Sequence, residues 1–173
     1  MVGRVWKYGD GVNTDVIFPG KYTYTLKEPL EIAAHALEDL DPAFAREARA
    51  GDVIVAGRNW GNGSSREQAV TALKYRGIAA VVAKSFARIY FRNGINQGLL
   101  LVTCPEAVDV AQAGDTIEID LPASLIRTGG REFSFPPLSP TALGIIEAGG
   151  LVQHIRRKLG LASTEAVMVS SGE

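Results

Sequence analysis

Cysteine is almost absent from this chain: Cys104 is the one thiol among 173 residues. That excludes an internal disulfide, and it excludes an iron–sulfur cluster held by the usual set of cysteines from this chain. Histidine is nearly as scarce. His35 and His154 lie far apart in sequence and fit no metal-ligand spacing. Both fall on predicted helices beside apolar neighbours, so a structural or solvent-facing role is expected and no metal site. Redox or Lewis-acid chemistry must come from elsewhere. There is no basic block, and the net charge of −1 leaves no electrostatic footprint for nucleic acid. No apolar run approaches the roughly 20 residues that span a bilayer. The first ten residues carry charges and glycine and lack the apolar core of a signal peptide. A cytoplasmic protein is expected.

What is present is an ordinary globular composition, 46% hydrophobic and 21% charged. Its length suits one domain, expected over residues 1–160, with a small polar tail over 161–173. Val2 to Tyr8 reads as a first strand, ended by Gly9-Asp10-Gly11. A short apolar run, 16–18, precedes an exposed loop over 19–29. Leu30 to Glu38 has helical periodicity, and Asp41-Pro42 caps and opens a second short helix. Strands are expected at 53–56, 78–83 and 99–103, with helices at 65–75 and 86–97 between them. This alternation signals an α/β core with parallel neighbours. A helix at 104–112, a strand at 116–121 and a turn at Gly129-Gly130 add antiparallel structure. One or two helices over 141–159 close the chain.

The stretch Gly61-Asn62-Gly63-Ser64-Ser65-Arg66-Glu67-Gln68 stands out. Two glycines open a turn, and backbone N–H groups, hydroxyls and a guanidinium then converge where a small anion can sit. Ser64 with Glu67 matches a capping box, and Ser65 with Gln68 matches one a residue later. A helix start needs one cap. If Ser65 provides it, the Ser64 hydroxyl is left free beside the positive helix end, where ionisation costs less. The motif leaves both readings of Ser64 open, a general base or a cap. Arg66 in a first helical turn opposes the macrodipole by a few tenths to about 1 kcal/mol. A bound carboxylate would reverse that sign, and so would a pair with an acid such as Asp15. The turn lacks the features of a P-loop, a dinucleotide fingerprint or a nucleophile elbow. Lys84-Ser85-Phe86-Ala87-Arg88 lies at a strand-to-helix junction, a usual place for sites in α/β sheets, although Phe86 also suits the core and Arg88 a loop tie.

Together these segments resemble the small subunits of aconitase-type hydro-lyases, 3-isopropylmalate dehydratase and homoaconitase. The resemblance rests on three motifs in order: Asn13-Thr14-Asp15 with Pro19-Gly20-Lys21-Tyr22; Gly57-Arg58-Asn59-Trp60 running into Gly61–Glu67; and Ala83-Lys84-Ser85-Phe86-Ala87-Arg88-Ile89 with Arg92-Asn93, Asn96 and Gly98. It implies a swivelling β/β/α domain of mixed sheet and flanking helices. It also implies a separate large subunit carrying a [4Fe–4S] cluster, and a small carboxylic-acid substrate. In that reading Ser64 is the base, Arg66 grips a carboxylate and Ser65 supports it. Asp15, Gly61, Gly63, Lys84 and Arg88 shape the surrounding loops. No metal is held by this chain, and no nucleic acid or membrane is expected.

The chain departs from the family where Asn62 replaces a common cysteine and Gln68 a histidine. The loop after Pro19-Gly20, which in the family helps set substrate choice, reads Tyr22-Thr23-Tyr24-Thr25. It holds no arginine, which favours an isopropylmalate with Tyr24 against it; Lys21 and Lys27 keep homoaconitate or another substituted malate open. A reading from another class is a stand-alone anion-binding regulatory module.

Overall fold

The computed structural model describes residues 1–161. In chain order the elements are β1 (Val2–Lys7), α1 (Thr14–Ile17), α2 (Pro29–Ala34), α3 (Pro42–Glu47), β2 (Val53–Ala56), α4 (Gln68–Tyr75), β3 (Ala80–Ala83) and α5 (Arg88–Gln97). There follow β4 (Leu100–Thr103), α6 (Pro105–Val110), β5 (Thr116–Asp120), β6 (Leu125–Thr128), β7 (Arg131–Ser134), α7 (Pro140–Glu147) and α8 (Leu151–Lys158). One seven-stranded sheet runs in the order β4-β3-β2-β1-β5-β6-β7. The β4-β3-β2-β1 half is parallel and the β1-β5-β6-β7 half antiparallel. The expected mixed α/β sheet with flanking helices is what the chain builds.

The parallel strands read as unbroken apolar runs because both of their faces are covered. Successive side chains alternate between two cores. Trp6, Ile54, Ala56, Val81, Ala83 and Leu101 join one core with Phe44, Leu73 and Tyr90. Val5, Val53, Val55, Ala80, Val82 and Leu100 join the other with Val108, Ile117 and Ile126. Burying a valine or leucine side chain contributes about 1.5–3 kcal/mol, so these short strands are held by packing on two sides. The antiparallel half alternates instead, with Ile117 and Ile119 inward and Glu118 outward.

Several expectations need correction. No element is expected at the apolar run 16–18, yet residues 14–17 form one helical turn, with the Asn13 side chain accepting from the Val16 N–H at 2.9 Å. A 3-10 turn, Gly20–Tyr22, sits inside the expected loop. The helix at 30–38 stops at Ala34, and Leu37 takes a positive φ of 56°. The helix expected from Ser65 begins at Gln68. Asp41 does cap its helix, accepting from Ala43 and Phe44 N–H groups. The C-terminal segment splits at Gly149 and Gly150, both at positive φ. No helix of the described residues is long and apolar enough to cross a membrane. Of the expected tail, residues 162–173 lie outside the described part.

Candidate active site

The loops after β1, β2 and β3 leave the same edge of the parallel sheet, the carboxyl end where α/β proteins place their ligands. Backbone bonds tie them together. Gly11 N–H donates to Arg58 O, Gly61 N–H to Val12 O and Thr14 N–H to Asn62 O, each at 2.8 Å. Trp60 N–H donates to Ser85 O at 3.0 Å, and Ala87 N–H to Trp60 O at 2.9 Å. The Asn62 side chain donates to Asn59 O at 2.9 Å, closing the turn from within. That is a local role for Asn62 within the turn.

Two glycines are required by this turn. Gly61 has φ 77°, and a Cβ there would overlap the Tyr90 ring, which is buried against it. Gly63 has φ 100°, and its Cβ would lie 3.2 Å from Thr14 Oγ1. Side chains at both positions would be strained by conformation as well as by contact.

The chain emerges from Gly63 as an irregular segment, not as a helix start. Glu67 occupies the position before α4 and makes no side-chain cap. Neither serine caps this helix, so the duplicated capping box is unused and the Ser65 assignment is corrected. Tertiary bonds outcompete the local ones. Ser64 N–H donates to Thr14 Oγ1 at 3.0 Å, and the two hydroxyls lie 3.1 Å apart. Ser65 O accepts from the Asn93 side chain at 3.0 Å. The Ser65 hydroxyl makes no hydrogen bond within the described residues.

Arg66 therefore lies outside the helix, and its guanidinium is used on three sides. Nε donates to Ser64 Oγ at 2.8 Å and Nη1 to Thr23 Oγ1 at 3.1 Å, while Nη2 pairs with the Asp15 carboxylate. Gly20 passes so close that a Cβ would lie 2.7 Å from Arg66 Nη1 and 3.0 Å from Asp15 Oδ1. The Ser64 hydroxyl is thus not free: it is held between Thr14 and Arg66. The alternative reading of Arg66, a pair with Asp15, is realised, and Asp15 is 65% exposed at its side chain against 21% for Arg66. An exposed carboxylate can leave the guanidinium at small cost, opening it to another carboxylate.

The other expected residues are placed differently. Tyr24 is 92% exposed, and its neighbour Thr23 makes the contact to Arg66. Lys84 turns to Asp109 at 2.5 Å and holds that carboxyl below its ordinary range. Arg88 opens α5 exposed, with no ion pair among the described residues. His35 pairs with Glu38 and stacks on Tyr22, and makes no bond to Ser64 or Arg66. Thr14 and Thr23 were not singled out in the sequence, where the one signal was their position inside the first motif and the loop after it. Among the described residues no group of three or more His, Cys, Asp or Glu side chains could hold a metal.

The family model of the aconitase C-terminal domain matches residues 19–107. The chain belongs to this family. It is 49% identical over 160 residues to the 3-isopropylmalate dehydratase small subunit of Aquifex aeolicus, covering 91% of this chain and 95% of that one. It is 48% identical to the protein of the same name from a Hydrogenobaculum species, with 91% and 96% covered. A third relative, small subunit 1 of that enzyme in Methanopyrus kandleri, is 49% identical with 90% and 92% covered. The crystal structure of 3-isopropylmalate dehydratase from Methanocaldococcus jannaschii superposes with a TM-score of 0.86 at 44% identity, over 92% of this chain and 96% of that one. The aconitase-family Ser64 turn thus sits in a fold shared along nearly the whole described length.

Proposed function

We infer that this chain is the small subunit of a heteromeric 3-isopropylmalate dehydratase, a hydro-lyase that interconverts 2- and 3-isopropylmalate by dehydration and rehydration in leucine biosynthesis. Residues 1–160 act as one swivel domain, in the cytoplasm, docking on a large subunit. The observation that carries the reading is the convergence of the Ser64 hydroxyl and the Arg66 guanidinium, 2.8 Å apart, on one turn of an aconitase-family fold. The names of relatives at 47–49% identity favour isopropylmalate over homoaconitate and over a stand-alone binding module.

In this reading Arg66 exchanges its exposed partner Asp15 for a carboxylate of the substrate, which fixes the α-carbon beside Ser64. The Ser64 alkoxide, its own proton having passed to solvent, then takes the proton from that carbon and becomes the neutral hydroxyl. Arg66 Nε, donating to the same oxygen, stabilises the alkoxide and so lowers the cost of forming the base. The proton held on Ser64 is returned when water adds across the double bond in either sense. The donor set of this chain does not fit an iron–sulfur cluster, for the lone Cys104 is buried with its thiol toward Ser134 O. The [4Fe–4S] cluster belongs to the large subunit, where it would supply the Lewis acidity that helps the hydroxyl leave.

Co-expression with an iron–sulfur large subunit tests the reading. The complex should turn over isopropylmalate in preference to homoaconitate, and Ser64→Ala should lower kcat by roughly 100-fold or more. Unchanged turnover in Ser64→Ala would remove the base from this position. Binding of carboxylates at sub-millimolar concentration by the isolated chain, without turnover in the complex, would favour a binding module.

A further inference from the structure

We propose that Thr14 is a positioning residue for Ser64: its buried hydroxyl donates to Ser64 Oγ and, with Arg66, holds that oxygen ready to become an anion. The proposal rests on the reading of Ser64 as the base. Thr14 is 1% exposed, although it sits at the rim of a loop cluster. A hydroxyl has one proton and two lone pairs to place. One lone pair of Thr14 Oγ1 receives the Ser64 N–H at 3.0 Å. Its proton needs an acceptor, because an unmade buried hydrogen bond is costly. Ser64 Oγ, 3.1 Å away, is the acceptor the structure offers among the described residues.

If Thr14 donates, Ser64 Oγ receives two protons from its surroundings, one from Thr14 and one from Arg66 Nε at 2.8 Å. Both lone pairs of the neutral hydroxyl are then occupied, and its own proton must point away from both donors. On ionisation both bonds persist and strengthen, since a hydrogen bond to a charged acceptor is about twice as strong as to a neutral one. Two fixed donors therefore favour the anion of Ser64 over the neutral hydroxyl.

The position of Thr14 is fixed independently of Ser64. Its N–H donates to Asn62 O at 2.8 Å, and Asn13, which caps the helical turn, forms a bridge with Asn62. Gly63 allows the approach, since it leaves the space beside Thr14 Oγ1 open. The loops after β1 and β2 are thus clamped at three successive points, and the Thr14 hydroxyl is preorganised before substrate arrives.

The test uses the complex with the large subunit. Thr14→Val should lower kcat about 10- to 100-fold, the loss of one hydrogen bond to a charged oxygen. It should leave KM within about threefold and move the acid limb of the kcat–pH profile upward by about one unit. Thr14→Ala removes the same donor without adding a methyl group and carries the same expectation. Thr14→Ser should restore the wild-type limb. A purely structural threonine would reduce the folded fraction and leave the limb where it was. An unmoved limb in folded Thr14→Val or Thr14→Ala, beside an inactive Ser64→Ala, overturns the role of Thr14 alone. An active Ser64→Ala overturns the base assignment and the proposal with it.

Discussion

Arg66 is shared between Ser64 and Asp15: its Nε donates to the serine hydroxyl at 2.8 Å while its far nitrogen pairs with the carboxylate. One planar group therefore links the oxygen proposed to move a proton with the charge that a substrate carboxylate would replace. A lysine has no planar fork and cannot serve Ser64, Thr23 and Asp15 together. Arg66→Lys should leave the far-UV circular dichroism unchanged and lower kcat/KM of the complex by at least about tenfold. Steady-state kinetics check this, and wild-type kcat/KM in the lysine variant would contradict the shared role.

Gly61 and Gly11 both have positive φ, 77° and 69°, but only Gly61 has an aromatic ring against it. Gly11→Ala should cost about 1–2 kcal/mol from backbone conformation. Gly61→Ala should cost about 1–3 kcal/mol more, because the methyl group must displace Tyr90. Urea melts of the two variants separate the terms. Equal losses would show that the ring yields freely.

Glu38 predicts a pH-dependent contribution to stability. Burial raises its carboxyl pKa, but hydrogen bonds from His35, Lys21 and Tyr22 outweigh that and hold it below the usual range. A lowered folded pKa stabilises above the unfolded value of about 4.3, and the gain is lost as pH falls through the folded value. Glu38→Gln should lower stability at neutral pH by less than about 1 kcal/mol, because the cluster is near the surface. The difference should vanish in acid, once the pH has fallen below the lowered folded value. Denaturant melts at both pH values check the sign, and a difference that grows in acid would reverse it.

Cys104 should be inert in the folded chain. It is buried, and burial pushes its thiol pKa up. A thiol reagent should label it only after unfolding, when one equivalent per chain should react, since the thiolate is the reactive form. Rapid labelling of native protein would show that this part of the second core opens.

Much of the fold could be read in advance from runs such as Val53–Ala56 and from signals such as Asp41-Pro42, because local patterning and burial agree there. The unused capping boxes at Ser64 and Ser65 mark where that agreement ends. Thr14 lies 50 residues away, yet its bonds to Ser64 override a helix start that the local residues favour. Lys84, just after β3, shows the same limit, since its partner Asp109 comes from α6.

Composition and motif were enough to show that this chain has a single cysteine, and to set a serine and an arginine behind two glycines on one short segment. They were enough because residue type limits which ligands and protons a chain can supply. Whether Ser64 caps a helix or is held as an acceptor depended on parallel pairing of β1 with β2, which sets their following loops side by side. Hydrogen bonds last only over about 3 Å, so contacts between Thr14, Ser64, Arg66 and Asp15 exist only once the sheet has set that register.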